Sequence, residues 1–388
     1  MQKVRAEISL ENIRHNAKAF LALTKTRLCA VVKANAYGHG AEAVVAALCD
    51  VVDSFAVALI EEGLAIRVAA CGKEIVVLTP PTDEAEGYML ASCGFTAMVD
   101  SLKTARLLSK VCARYHLPLN VRLKVNTGMN RYGMNVQMLG KTCKLLQTDA
   151  WLRVRGMDSH LCECSIVRAK EQQACFEQML SVARRYFPMI NAYLCATYGA
   201  LLGEKYHYDG VRVGLGLYGY LPCGVNEKTG VSLDAVMRLD LRKSMAVYAK
   251  AIGKRTHPSG GVGYGEKRKS LPSSLTVYRV GYADGFLRQR ENGMDGWETN
   301  ANVLCMDACI RQGDGRRGAY IPIMMDAEAV AAATGTVAYE VLCAATRRAE
   351  FIYDEETAFC RRGAVHKGRA KDKSSRVHER KARGKYQP

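Results

Sequence analysis

The chain has 388 residues, is 49% hydrophobic and carries a formal charge of +17. That length and apolar content suit one large domain plus a smaller one. No stretch reaches the roughly 18–20 uninterrupted apolar residues of a membrane helix. The opening "MQKVRAEISLENIRHNAKAF" is charged throughout, unlike a signal peptide, so a cytoplasmic protein with no membrane partner is expected.

Short apolar runs alternate with helical patterns over the first half. The predicted strands are "LCAVVKA" (28–34), "SFAVAL" (54–59), "EIVVLT" (74–79), "FTAMVD" (95–100), "LNVRLKV" (119–125), "RGMDSHL" (155–161), "INAYLCA" (190–196) and "GVRVGLGLYG" (210–219). Between them, residues 101–116 have apolar positions at helical spacing behind a Ser101 cap, and residues 169–187 are similar. Eight strands with helical crossovers predict a parallel (β/α)8 barrel over residues 1–222. An open doubly wound sheet competes, but no Gly-rich dinucleotide fingerprint follows the first strand.

After residue 222 the rhythm changes. "AVMRLDLRKSMAVYAKAI", "SLTVYRVGYADG", "ANVLCMDACI" and "VAYEVLCAA" read as strands with little helix between them. A β-rich domain over residues 223–360 is expected, and the opening "KVRAEISL" is expected to join it as a strand. Residues 361–388 hold eleven Lys/Arg against Asp372 and Glu379, a net of +9. Such a tail reads as solvated and disordered. With one aromatic and no nucleic-acid-binding signature, no nucleic-acid partner is expected. The fifteen cysteines are scattered and odd in number. Neither Cys162/Cys164 nor Cys305/Cys309 has a second half at zinc spacing, so reduced thiols and no metal are expected.

In a (β/α)8 barrel the chemistry collects at the C-terminal strand ends. The first strand ends in Lys33 and Tyr37, the fifth in Lys124 and then Arg131. The sixth ends at His160, the seventh at Thr197 and Tyr198, and the eighth carries Arg212 before a glycine-rich turn. Any one of these alone reads as a structural group. Five ends converging on one rim point to a cavity, with glycine turns that suit backbone close to a ligand such as a phosphate. A lysine desolvated there has a lowered pKa and becomes a nucleophile towards carbonyls. Schiff-base chemistry, with an aldehyde or pyridoxal phosphate, follows.

"AVVKANAYGHG" resembles the pyridoxal-phosphate attachment motif of alanine racemases. "LKVNTGMNRYGM" (123–134), "GMDSHL" (156–161), "VRVGLGLYG" (211–219), "GVGYGEKR" (261–268), "VGYADGF" (280–286), "CMD" (305–307) and "GTVAYEVLC" (335–343) resemble further family segments in family order. The resemblance implies an amino-acid racemase that interconverts L- and D-alanine for peptidoglycan, working as a homodimer with shared sites. It implies that Lys33 holds pyridoxal 5′-phosphate and serves one face of the substrate Cα, while Tyr264 serves the other. Arg212 would face the pyridine nitrogen, with His160 hydrogen-bonded towards it. Tyr37, Thr197, Tyr198, Gly214 and Leu215 would surround the phosphate. Arg131, Met306 and Asp307 would meet the substrate. Lys124 stands at a position that can be carbamylated.

Departures are visible too. "ATYG" (196–199) stands in place of the more usual Asn-Ser pair and is similar to serine-racemase relatives. Arg347 or a neighbour stands where a phosphate-binding tyrosine is common, Asn126 where Asp is, and the segment between Asp307 and Gly335 is short. The rival readings are a serine or broader-specificity racemase and a non-catalytic pyridoxal-phosphate-binding homologue.

Overall fold

A computed structural model describes residues 4–222, 224–262, 273–286 and 303–354. Tyr264 and the basic tail lie outside the described residues.

The first strand, β1 (Val4–Ile8), stands apart from the barrel. The barrel strands follow: β2 (Arg27–Val31), β3 (Ser54–Val57), β4 (Glu74–Val77), β5 (Thr96–Val99), β6 (Leu119–Lys124), β7 (Leu152–Asp158), β8 (Asn191–Tyr193) and β9 (Gly210–Val213). All their pairings are parallel, in the order β8-β7-β6-β5-β4-β3-β2-β9. β3 and β5 are buried at every position, as strands covered on both faces must be. The β8–β9 seam has no ladder but is bridged: Arg212 N–H donates to the Cys195 carbonyl at 2.9 Å and Asp209 N–H to that of Ala192 at 3.2 Å. The result is a nearly closed eight-stranded barrel. Its longer helices start where the sequence offers caps, as at Ser101, whose Oγ accepts from Thr104 N–H at 3.0 Å.

The second sheet contains β10 (Met245–Thr256), β11 (Ser274–Tyr278), β12 (Val303–Leu304), β13 (Cys309–Gln312), β14 (Tyr320–Met324) and β15 (Ala349–Tyr353). Its order is β12-β13-β11-β10-β1-β15, with β14 also on β10. β1 runs antiparallel to β10 and parallel to β15. The chain therefore starts in this sheet before entering the barrel.

Two expected strands are helices. "VAYEVLCAA" forms the helix Ala338–Ala345, and the first part of "AVMRLDLRKSMAVYAKAI" forms Leu233–Leu239. A further helix, Ala327–Thr334, is capped by Asp326. In Ala338–Ala345 the buried residues are Ala338, Val341, Leu342 and Ala345. That spacing of three, four and seven is a helical stripe, hidden in the sequence by β-branched and aromatic neighbours. In the barrel the β9 run is shorter than read, because residues Leu215–Tyr218 turn into a 3-10 helix.

Candidate active site

Lys33 opens the turn directly after β2. Ala34, Asn35, Ala36 and Tyr37 all take left-handed backbone angles, φ 51–54°. A non-glycine residue pays roughly 1–2 kcal/mol for that conformation, so four in a row need external support. Glu62 gives it, accepting from Ala34 N–H at 2.6 Å through one oxygen and from Ala58 N–H at 2.8 Å through the other. Asn35 Oδ1 accepts from Ala41 N–H at 2.8 Å. His39 is fully buried and stacks on Tyr218 with centroids 4.4 Å apart. Its Nδ1 lies 3.0 Å from the carbonyls of Ala36 and Tyr37, and its Nε2 3.0 Å from Ser244 Oγ.

The C-terminal unit closes over the same turn. A Cβ on Gly38 would sit 2.4 Å from the Leu342 carbonyl oxygen, and one on Gly40 would sit 2.0 Å from Tyr353 Oη. Both glycines have positive φ, so only glycine fits there on two counts. His39 pins the lysine turn to Ser244 ahead of β10.

Lys33 is half-buried. Burial, then the charge of Arg131, lowers its pKa below the usual lysine value, against the pull of Glu62 and Cys343. The neutral amine needed for attack on a carbonyl is thereby favoured. Lys124 is pushed down to about 7 by burial and by Arg212, with Asp158 opposing. His160 is held well below its ordinary value by burial and by Arg212, Lys124, Arg131 and Lys33. Arg131 itself is exposed. This rim is rich in positive charge and suits an anionic ligand.

Arg212 is buried, and its terminal nitrogens are committed inwards. Nη1 donates to the Tyr193 carbonyl at 2.9 Å, and Nη2 to those of Ser159 and Leu194. Nη1 also lies 2.9 Å from Asp158 Oδ1. Among the described residues no acceptor is assigned to its Nε–H. The expected hydrogen bond from His160 is not among those made by Arg212 in the described residues. The guanidinium is held by Asp158 and by the carbonyl of Ser159, and the His160 ring is a neighbour among cations.

The expected phosphate residues gather on one side. Tyr37 is buried, with its ring 5.0 Å from that of Tyr218 and 5.9 Å from that of Tyr339. Its hydroxyl lies where a Cβ on Gly214 would be, 2.5 Å away. Leu215 is buried behind this glycine. Thr197 Oγ1 accepts from Gly216 N–H at 3.1 Å, leaving its own hydroxyl hydrogen to donate. Tyr198 donates its hydroxyl to the Thr229 carbonyl at 2.7 Å, so it supports the 227–230 turn. A nucleophilic amine, a guanidinium whose Nε–H has no acceptor among the described residues and a glycine cradle on one rim fit pyridoxal 5′-phosphate in the chemistry of their donors.

Met306 and Asp307 lie in a second cluster. Their loop is zipped to the 281–285 turn, with Ala283 N–H donating to the Met306 carbonyl at 3.0 Å. Arg348 bridges Asp284 and Asp307, both at 2.8 Å. A cavity of about 170 Å³ adjoins it, lined by residues that include Tyr282, Phe286, Glu340 and Arg347. The Ala338–Ala345 helix stands between the two clusters. Leu342 meets the lysine turn, and the Ala344 carbonyl meets Gly285. The sequence reading missed Glu62, Asp158, Arg122 and Ser244. Arg122 and Asp158 had a signal, Arg122 as a charge between Val121 and Leu123 and Asp158 as a charge directly after Met157.

Fold and site together define an enzyme of the lysine-centred barrel class with an appended β unit. A model of the alanine racemase N-terminal domain matches residues 8–222, and one of the alanine racemase C-terminal domain matches residues 244–353. The alanine racemase of Clostridium novyi is 31% identical over 386 residues, covering 91% of this chain and 96% of that protein. The catabolic alanine racemase of Pseudomonas putida is 33% identical over 305 residues, covering 76% and 79%. Among solved structures, the alanine racemase of Clostridium difficile 630 matches with TM-score 0.82 and 26% identity, covering 92% and 97%. That of Bartonella henselae with covalently bound pyridoxal phosphate matches at 0.77 and 25%, covering 91% and 100%. The chain belongs to the alanine racemase family and is an isomerase acting on amino acids.

Proposed function

We propose that this racemase uses pyridoxal 5′-phosphate to interconvert L- and D-alanine, and supplies D-alanine for peptidoglycan in the cytoplasm. The single observation that carries the reading is Lys33, held at the barrel mouth on a strained turn that both halves of the chain support. Pyridoxal 5′-phosphate, when bound, supplies an electron sink for charge developing at the substrate Cα.

The chain's own residues do the rest. Lys33 would hold the cofactor and move a proton at one face of Cα. Tyr264 moves a proton at the opposite face, as inversion demands two opposed groups. Arg131 favours the tyrosine's ionised form and draws the substrate carboxylate into the cationic rim. Arg212, permanently protonated, would face the ring nitrogen and would not yield a proton to it. Tyr37, Thr197, Gly214 and Leu215 surround the phosphate, and Tyr198 braces the turn beside it. His160, kept neutral, adds no further charge.

The cofactor barrel is proposed to span residues 1–222, the β domain 223–360 and the basic tail 361–388. Two chains are proposed to pair so that Tyr264, Met306 and Asp307 of one complete the site around Lys33 of the other. Lys124, with its pKa near neutrality, presents a large fraction of the neutral amine that takes up carbon dioxide.

The test is enantiomer interconversion by purified, cofactor-loaded protein across alanine and serine. Racemisation of alanine, lost in Lys33→Ala, supports the reading. Cofactor binding without turnover of either amino acid overturns it. Mixing inactive Lys33→Ala and Tyr264→Phe chains restores part of the activity if the site is shared between chains.

A further inference from the structure

Beneath the site a ladder of alternating charge runs through the barrel interior. Glu74, at the start of β4, lies 2.6 Å from Arg122 Nη2. Arg122 Nη1 lies 3.8 Å from Asp158 Oδ2, and Asp158 Oδ1 lies 2.9 Å from Arg212 Nη1. The Arg122 guanidinium also covers the Tyr193 ring at 4.3 Å, and its stem passes Gly156, where a Cβ would sit 3.6 Å from Arg122 Cδ. Asp158 has no exposed surface, and Arg122 and Arg212 are each under 5% exposed.

This is an expensive way to fill a barrel. The usual filling is layers of branched apolar side chains, and a buried ion pair is commonly no more stabilising than such a layer. Neither Asp158 oxygen makes an aligned hydrogen bond among the described residues, and Arg122 Nε and Nη1 make none. The carboxylate is held by charge alone, between two guanidiniums. Unsatisfied buried groups of this kind call for a reason beyond stability.

The geometry points to Asp158 as a positioning residue for Arg212: its carboxylate, backed by Arg122, holds the guanidinium down on the ends of β7 and β8 and leaves Nε–H aimed at the bound cofactor. This rests on the reading of Arg212 as a cofactor contact. The four carbonyl and carboxylate partners all take Nη1 or Nη2, and none takes Nε. Without the carboxylate, Arg212 loses its one ion pair and is left beside Lys124 with only carbonyl partners to hold its register. Asp158 itself touches no cofactor atom; it acts through Arg212.

The test measures the dissociation constant of pyridoxal 5′-phosphate and the thermal midpoint of the apo-protein for wild type, Asp158→Asn and Asp158→Asn/Arg122→Gln. Asp158→Asn keeps the shape and removes the charge. It is expected to weaken cofactor binding by roughly 10- to 100-fold, the range for residues that orient a ligand-binding group, and to lower the midpoint because Glu74, which reaches only Arg122, is then the one carboxylate of the ladder facing two buried guanidiniums. The double variant removes one charge of each sign, so its midpoint is expected to recover while the weakened binding persists. If binding recovers together with the midpoint, or if Asp158→Asn binds like wild type, Asp158 is structural and the proposal is overturned. If wild type itself does not bind pyridoxal 5′-phosphate, the underlying cofactor reading fails, and this proposal with it.

Discussion

The barrel interior and the C-terminal unit both join arginines to carboxylates, and the two networks do different work. In the barrel, Arg122, Asp158 and Arg212 are sealed from water. In the C-terminal unit, Arg348 and Asp307 keep 41% and 64% of their side-chain surface exposed. A sealed charge that loses its partner is stranded at high cost, whereas an exposed one is rehydrated. The barrel therefore holds its charges in one geometry. The C-terminal unit contributes shape instead: Leu342, Tyr353 and Ser244 press on the lysine turn through backbone and hydroxyl contacts.

Replacing Lys33 by Ala sharpens this division most. It should abolish visible cofactor absorbance and racemisation while leaving the circular dichroism of the fold unchanged. Gly38→Ala breaks the contact between the two regions. It sets a Cβ against the Leu342 carbonyl at φ +80°, and strain plus overpacking should cost about 3 kcal/mol of unfolding free energy in urea titration.

His39 gives a pH test of the same contact. Burial holds its pKa down to about 4 in the fold, against roughly 6.5 unfolded. As pH falls below 6.5 the unfolded chain binds the proton first. The stabilising effect of the neutral ring is therefore complete above pH 6.5 and is lost on the way down to pH 4. Unfolding free energy should drop by about 3 kcal/mol across that window, a component absent from His39→Gln measured alongside.

Arg348→Ala should cost little unfolding free energy in the same titration, since Arg348 and Asp307 are largely solvated and Asp284 keeps the Gly281 N–H. A loss comparable to that of Asp158→Asn would erase the distinction between the two networks. Removing residues 361–388 should leave turnover unchanged in the same assay.

The barrel was legible because its strands are apolar runs covered on both faces, separated by capped helices. Strand ends then located Lys33, Lys124, His160 and Arg212 on one rim. The C-terminal helices were harder, because a run of eight residues such as Ala338–Ala345 has too few turns to announce its period against valine and tyrosine. The partners of the site residues were less legible still. Arg122 and Lys124 share a face by strand alternation, but no pattern in the sequence says that Asp158 meets both Arg122 and Arg212. That follows from the parallel register, which sets Asp158 opposite Lys124 and Tyr193. Glu62 was invisible for the same reason: its role is to support four left-handed residues that local preference disfavours.

The most direct measurement is chiral chromatography of L-alanine and, separately, D-alanine incubated with the purified protein and pyridoxal 5′-phosphate. The expected result is that both reactions converge on the same mixture of enantiomers, and that Lys33→Ala leaves each substrate enantiomerically pure. Wild-type protein that carries the cofactor yet returns both substrates unchanged would contradict the account.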